Sequence, residues 1–376
     1  MNGRCVITVG DLGEFGIVAR IAGRLPQGRT VLLGPGDDAA LVGAPDGRVV
    51  VTTDLLLEGR HFRRDWSTAY DIGRKAAAQN LSDVVAMGAV PTGVVVGLGL
   101  PADTPARWLD DLADGFRDEC DLVGASVAGG DTTRCDLVVI GVTALGDLGG
   151  RAPVTRSGAR EGDVVAVAGR LGHAAAGLAL FQAGRIPPGP DAAGPGGPGE
   201  ERGAARPGKR DAPEEPAETT PEPAEPTAEP AAPADPAGGG SGERALAALA
   251  DAHRRPRPPY SCGVQAAELG ATAMLDVSDG LLQDLGHVAR ASGVGIVLDP
   301  AALAVPGELE TAARLLAADP LEWVLTGGDD HALAATFPRG VRLPPAWAEI
   351  GRVTGGEGVL VEGRPQGRGG WDHFRE

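Results

Sequence analysis

Lysine is almost missing from this 376-residue chain, which has it only at positions 75 and 209. A Gly-Lys-Ser/Thr phosphate loop needs a lysine directly before a hydroxyl residue, and neither position offers one, so P-loop chemistry is excluded. There is no HRD/DFG pair and no GxGxxG after an apolar strand, which removes protein-kinase and dinucleotide-binding readings. Cysteine occurs four times, at 5, 120, 135 and 262, without a CxxC pair. Those cysteines show no disulfide framework, so a reducing compartment is expected, and the six histidines lack HxxxH spacing, which argues against zinc. No run approaches the ~18 apolar residues of a membrane span. With only a short apolar stretch before Asp11, we expect a cytoplasmic protein with no membrane partner.

The formal net charge is −17, and no basic patch suggests nucleic acid. Residues 187–242 contain no Val, Ile, Leu, Met, Phe, Tyr, Trp or Cys and carry 14 of the 31 prolines. Such a segment has nothing to bury in a core, and it reads as a disordered insert. Its 11 acids and 4 bases leave the other 320 residues still acidic, at −10. With 43% hydrophobic residues, that remainder is long enough for two cored domains.

What the chain has instead is aspartate. Five short apolar runs each lead into a glycine- or threonine-flanked cluster: Gly36-Asp37-Asp38, Thr52-Thr53-Asp54, Gly129-Gly130-Asp131-Thr132-Thr133, Asp276-Val277-Ser278-Asp279-Gly280 and Gly327-Gly328-Asp329-Asp330. Carboxylates at strand ends, beside glycines that permit close backbone approach, make a hard-oxygen site suited to Mg²⁺ and to nucleotide phosphates. Any one cluster alone is more often a turn or a cap, and Asp279 or Ser278 has an ordinary role available as cap of a helix from Leu281. Asp83 is harder to dismiss, because it sits in a helical apolar stretch between Leu81 and Val84, where a carboxylate is costly unless paired with a cation or metal.

Phe15, Val18, Ile21 and Leu25 recur at helical spacing and predict an amphipathic opening helix. Strands are expected at 31–33 and 49–51, a helix over 68–87 with Asn80 and Asp83 on one face, a strand at 94–100, a helix over 105–122 and a strand at 137–145. This α+β arrangement of mixed layers is expected to end a first domain near residue 150. A second, 151–376, is expected from a strand at 164–168, a helix over 173–181, a βαβ-like unit over 272–298 and short strands at 331–337, 348–353 and 358–361, with the 187–242 insert interrupting it.

In this order, the motifs GEF (13–15), GDDAAL (36–41), TTDLLLEGRHF (52–62), KAAAQNLSDVVAMGAVP (75–91), GGDTTR (129–134), TRSGAREGD (155–163), DVSDGLLQDLGH (276–287), TGGDDHAL (326–333) and WDHF (371–374) resemble the thiamine-monophosphate kinase family. That family belongs to the superfamily of aminoimidazole ribonucleotide synthetase and selenophosphate synthetase. The resemblance implies a two-domain aminoimidazole ribonucleotide synthetase-like fold, a homodimer formed through the first domain's sheet, with ATP bound near that interface, and transfer of phosphate from ATP to thiamine monophosphate. It places Mg²⁺ ligands at Asp38, Thr52, Thr53, Asp54, Asp83, Asp131, Asp276 and Asp279, with catalytic weight on Asp83, Asp131 and Asp279. It places ATP contacts at Arg156, Ser278, Gly130 and Asp131, and substrate contacts at His61, Asp329 and Trp371. The usual GGEDYEL is here GGDDHAL, so Asp329 is one methylene shorter than the expected glutamate, and His331 stands for tyrosine. Two other readings stay open at this point: an aminoimidazole ribonucleotide synthetase-type enzyme, and an inactive nucleotide-binding regulator.

Overall fold

The computed structural model describes residues 7–33, 40–187 and 240–363. Asp38, Trp371 and residues 188–239 of the insert lie outside the described residues. Helix α1 (Val9–Ala22) opens with a capping box in which Thr8 and Asp11 bond each other's main chain. The expected amphipathic face is only partly realised. Gly13, at φ 63°, kinks the helix, and Ile17 is buried while Val18 is 42% exposed.

Strands β1 (Val31–Leu33) and β2 (Leu41–Val42) form a small antiparallel pair. A four-stranded sheet follows, built from β3 (Val50–Leu57), β4 (Val90–Leu100), β5 (Ser126–Arg134) and β6 (Val139–Asp147) in the order β3-β6-β4-β5. The parallel pair is β4–β5; the other two contacts are antiparallel. Helices α2 (Ala69–Ala86) and α3 (Ala106–Asp121) pack beside it. Their axes approach so closely that a Cβ on Gly73 would fall 2.2 Å from the Leu112 carbonyl oxygen. Ile72, Ala76, Leu81 and Val84 of α2, with Leu109, Leu112 and Phe116 of α3, fill this core against Val94, Ile140 and Val142.

Two expected strand ends are corrected here. Thr52-Thr53-Asp54 lies inside β3, because backbone pairing with β6 continues to Leu57↔Val139. Gly129 to Thr133 likewise lies inside β5, paired along β4. Threonines suit a pleated, half-exposed strand, and the glycines allow close strand contact: a Cβ on Gly130 would meet the Val96 carbonyl oxygen at 2.1 Å.

The rest of the chain forms a six-stranded sheet in the order β12-β9-β11-β7-β10-β8. Its strands are β7 (Val164–Ala168), β8 (Ala273–Val277), β9 (Gly295–Leu298), β10 (Ala332–Phe337), β11 (Trp347–Thr354) and β12 (Gly358–Val361), with helices α4 (His173–Gln182), α5 (Gly240–Arg254), α6 (Tyr260–Glu268), α7 (Leu281–Ser292), α8 (Gly307–Leu316) and α9 (Pro320–Thr326). Helix α5 starts three residues inside the segment expected to be structureless. The β8-α7-β9 unit is not a pair of neighbouring strands, since β10, β7 and β11 lie between them, with antiparallel partners filling the ladder positions.

A third apolar cluster joins the two sheets' layers: Val85 and Ala86 of α2 and Val154 pack with Cys262, Ala266, Met274, Leu333 and Phe337. Beside it, Glu119 of α3 is 1% exposed. It is ion-paired with Arg74 of α2 and accepts a 2.6 Å bond from the Tyr260 hydroxyl of α6. The apolar cluster thus sets the C-terminal end of α2 against β8, while the Arg74–Glu119–Tyr260 group ties the first half of the helix to α3 and α6.

Candidate active site

A cleft of about 470 Å³ opens between β3, the end of α2, the 155–157 loop and β8. Thr52, Asp83, Arg156 and Asp276 line it together with Met87, Thr155, Ser157 and Met274. Four residues singled out from two separate sequence clusters, one helix and one loop therefore meet in one place.

The capping box of Thr68 and Asp71 sets the start of α2, and helical spacing then carries Gln79, Asn80 and Asp83 to the β3 side. Asn80 Oδ1 accepts from the Asp54 main-chain N–H at 3.1 Å, and Gln79 Nε2 donates to Asp54 Oδ2 at 3.0 Å. The Thr52 hydroxyl donates to Asp83 Oδ2 at 2.7 Å. Burial pushes the Asp83 carboxyl up to about 7, and the nearby negative charge of Asp276 and Asp54 adds to the rise against the Thr52 bond. Such a group favours an arriving cation, because each of those upward pushes is relieved by positive charge.

Asp276 is 4% exposed. It meets His331 Nδ1 at 3.0 Å through Oδ2. Burial pulls the His331 imidazole down, but the Asp276 bond and the negative charges of Asp276, Asp329 and Asp83 leave it raised. His331 Nε2 is buried with no hydrogen-bond partner among the described residues. After β8 the chain turns through Ser278, Asp279 and Gly280. The N-cap of α7 is Gly280, which has no side chain to offer. Instead Asp284 reaches back, accepting from the Asp279 and Gly280 main-chain N–H groups at 3.0 Å each. Burial raises its carboxyl to about 7 in spite of those two bonds.

The 327–331 loop lies directly against this turn. A Cβ on Gly328 would stand 2.1 Å from the Ser278 carbonyl oxygen, and Asp329 N–H donates to that oxygen at 2.9 Å. Asp329 Oδ2 receives Lys75 Nζ at 2.8 Å. Partial burial works to raise the Asp329 carboxyl, whose side chain keeps 42% of its exposure, but Lys75 overrides it, with help from His253 and His331, and holds it well below the usual carboxylate range. Asp330 is 3% exposed, and its Oδ1 accepts from Ala174 N–H at 3.1 Å. It thus caps α4, whose own N-cap, Gly172, contributes no side-chain bond.

Burial pushes the Asp330 carboxyl up to about 7, against the α4 N–H bonds and Arg170. Its folded pKa lies above the unfolded value near ~3.9, so the folded protein binds more protons between those pH values. The stability contributed is fully present below about pH 4 and lost as pH rises through about 7, at up to ~1.4 kcal/mol per pH unit. Asp330→Asn should therefore flatten the pH dependence of urea-unfolding stability between those limits relative to the wild type. Parallel curves would mean that Asp330 does not titrate in this way.

The other expected residues are placed elsewhere. Thr53 sits on the opposite face of β3 from Thr52, donating to the Val142 carbonyl at 3.0 Å. Gly130 and Asp131 lie on β5, the far edge strand. Asp131 is in register with Gly97, Gly141 and Leu55, three strand spacings or roughly 14 Å from β3. His61 follows the far end of β3, where its Nδ1 accepts from Leu57 N–H at 3.0 Å. Sequence reasoning missed Lys75 and Asp284 as parts of this region, and it named Asp330 within its cluster without foreseeing that it caps α4. Lys75 had one available signal, its rarity in an acidic chain.

The donor set around the cleft, carboxylates and a threonine hydroxyl, is the hard-oxygen chemistry that Mg²⁺ prefers. Among the described residues no three acidic, histidine or cysteine side chains converge on one ion position.

Residues 36–148 match the family model for the AIR synthase related protein, N-terminal domain. The chain is 45% identical over 372 residues to the thiamine-monophosphate kinase of Mycobacterium tuberculosis, covering 98% of this chain and 94% of the relative. The solved thiamine-monophosphate kinase of Stenotrophomonas maltophilia superposes with a TM-score of 0.69 at 32% identity, over 92% of this chain and 94% of the other. The solved complex of AaThiL with AMPPCP and TMP gives a TM-score of 0.68 at 28% identity, over 99% and 100%.

Proposed function

The chain belongs to the thiamine-monophosphate kinase family, and from that premise we propose that it transfers the γ-phosphate of ATP directly to thiamine monophosphate, in line and with Mg²⁺. The observation that carries this reading is the convergence of Thr52, Asp83, Arg156 and Asp276 on one cleft. Asp83, Asp276, Asp54 and Thr52 would hold Mg²⁺ there, with Asp279 beside the turn after β8 and Asp38 and Asp131 assigned by resemblance. Bound Mg²⁺ supplies charge neutralisation between two polyanionic substrates.

The protein's own residues do the rest. Arg156, exposed at the cleft, offers a guanidinium to phosphate oxygens. The acceptor phosphate monoester has a second pKa near ~6, so at neutral pH it is already an oxyanion and no general base is required of the cleft. His61 and Asp329, with Trp371, are proposed to hold the thiamine part, Trp371 through its ring face against the cationic thiazolium.

The working form proposed is a cytoplasmic homodimer with its domains divided near residue 150. Val51 and Leu55, 60% and 59% exposed on one face of β3, support burial of that sheet face in a partner.

Direct transfer requires both substrates to be bound before either product leaves. Double-reciprocal plots of rate against ATP at several thiamine monophosphate concentrations should intersect. Parallel lines, or protein labelled by γ-labelled ATP alone, would replace direct transfer with a phosphoenzyme route.

A further inference from the structure

Lys75 is 2% exposed, and outside the 187–242 segment it is the chain's one lysine. It stands on α2 two turns before Asp83. Its Nζ donates to Asp329 Oδ2 at 2.8 Å and to the His253 main-chain oxygen at 3.4 Å. An ammonium taken out of water is tolerated only when paired and hydrogen-bonded, and here the partners come from the loop before β10 and the last turn of α5. Lys75 therefore ties together elements distant in sequence.

The loop it grips is held in an unusual shape. Asp329 and His331 have φ of 67° and 53°, the left-handed region that residues other than glycine avoid and that persists only where the surroundings impose it. Main-chain bonds to Ser278 and Val277 impose part of it, from Asp329 N–H at 2.9 Å and His331 N–H at 3.2 Å. The side-chain grip on Asp329 is Lys75's alone among the hydrogen bonds of the described residues. Even so gripped, the Asp329 side chain is 42% exposed while Lys75's is 3% exposed. The carboxylate is anchored from inside and presented outward.

The same neighbourhood receives the loop that follows His61. Trp66 stacks on Phe181 with centroids 5.2 Å apart and stands edge-on to His253 at 6.4 Å. Arg254 closes the arrangement by donating to the Trp66 carbonyl oxygen.

We propose that Lys75 is a positioning residue for thiamine monophosphate, acting through Asp329: it fixes the direction in which the shortened carboxylate meets the substrate. The proposal rests on the assignment of Asp329 to the substrate made above. A glutamate could reach out from a looser anchor, whereas an aspartate one methylene shorter has to be held at the right point.

The test is a double-mutant cycle on the full-length enzyme with Lys75→Met, Asp329→Ala, the double variant and Lys75→Arg, read as kcat and as KM for each substrate. Lys75→Met and Asp329→Ala should each raise KM for thiamine monophosphate tenfold or more, with KM for ATP within twofold of wild type. The double variant should be no worse than the poorer single, because one interaction has been removed twice. Lys75→Arg should recover thiamine monophosphate KM to within about threefold. Multiplying effects in the double variant, or equal rises in both KM values, would overturn the positioning role and leave Lys75 as scaffold. An unchanged thiamine monophosphate KM in Asp329→Ala would instead overturn the underlying assignment of Asp329, and the two failures are thus distinct. If Lys75→Met does not fold, the double variant, which buries no unpaired charge, and Lys75→Arg carry the decision through calorimetric binding of thiamine monophosphate.

Discussion

Asp83→Asn should lower kcat by a factor on the order of 10²–10³, a loss of several kcal/mol of charge stabilisation, without loosening the fold. The amide fills the same space and still accepts from Thr52, which donates to Asp83 Oδ2 at 2.7 Å. What disappears is the negative charge. In the wild type without Mg²⁺ that charge is a liability, since burial and the nearby carboxylates of Asp276 and Asp54 push its pKa to about 7. The variant's melting temperature without Mg²⁺ should equal or exceed the wild type's above pH 7, and the rise in melting temperature on adding Mg²⁺ should shrink. Near-wild-type turnover at saturating Mg²⁺ would remove Asp83 from the metal set. A large fall in melting temperature would mean that the carboxylate is structural.

Arg74→Met should destabilise the protein by about 3–5 kcal/mol, because breaking a buried pair leaves its other member uncompensated. Glu119 is 1% exposed, and without Arg74 its remaining side-chain partner is the Tyr260 hydroxyl at 2.6 Å. Burial disfavours the Arg74 guanidinium's charge, but Glu119 and the Tyr70 hydroxyl that Arg74 donates to outweigh this and leave its pKa raised. Because the pair joins α2 and α3 to α6, its loss should also misalign Asp83 against Asp276. Chemical denaturation measures the stability term. Adding Glu119→Gln to Arg74→Met should return much of it, since a neutral amide costs less to bury unpaired than a carboxylate; no recovery would show that packing, not charge, is what Arg74 supplies.

How much of this could be read in the chain depends on how local each cause is. Helix α2 was legible to within a residue of each end because its start, Thr68 with Asp71, and its apolar spacing are local signals. The extent of β3 was not, because after Val51 the chain turns to threonine and aspartate, and the pairing with β6 that carries the strand to Leu57 is a tertiary decision. The Gly129 to Thr133 cluster misled for a related reason. Glycines that read as a turn are there to let β5 approach β4.

Within the site, Thr52, Asp83, Arg156 and Asp276 were legible from residue type and motif. The Lys75–Asp329 pair, 254 positions apart, has no sequence spacing that could reveal it. Asp284 escaped because it reaches back to N–H groups four and five residues before it rather than capping from ahead of the helix, and the capping role of Asp330 escaped because its partner lies 156 positions away.

The most direct test of the account is to incubate the purified full-length protein with ATP, Mg²⁺ and thiamine monophosphate and to quantify thiamine diphosphate and ADP together. The account predicts that both appear in equal amounts, that neither forms when Mg²⁺ is chelated, and that formylglycinamidine ribonucleotide does not replace thiamine monophosphate as the acceptor. ADP without thiamine diphosphate, or turnover of formylglycinamidine ribonucleotide in its place, would contradict it.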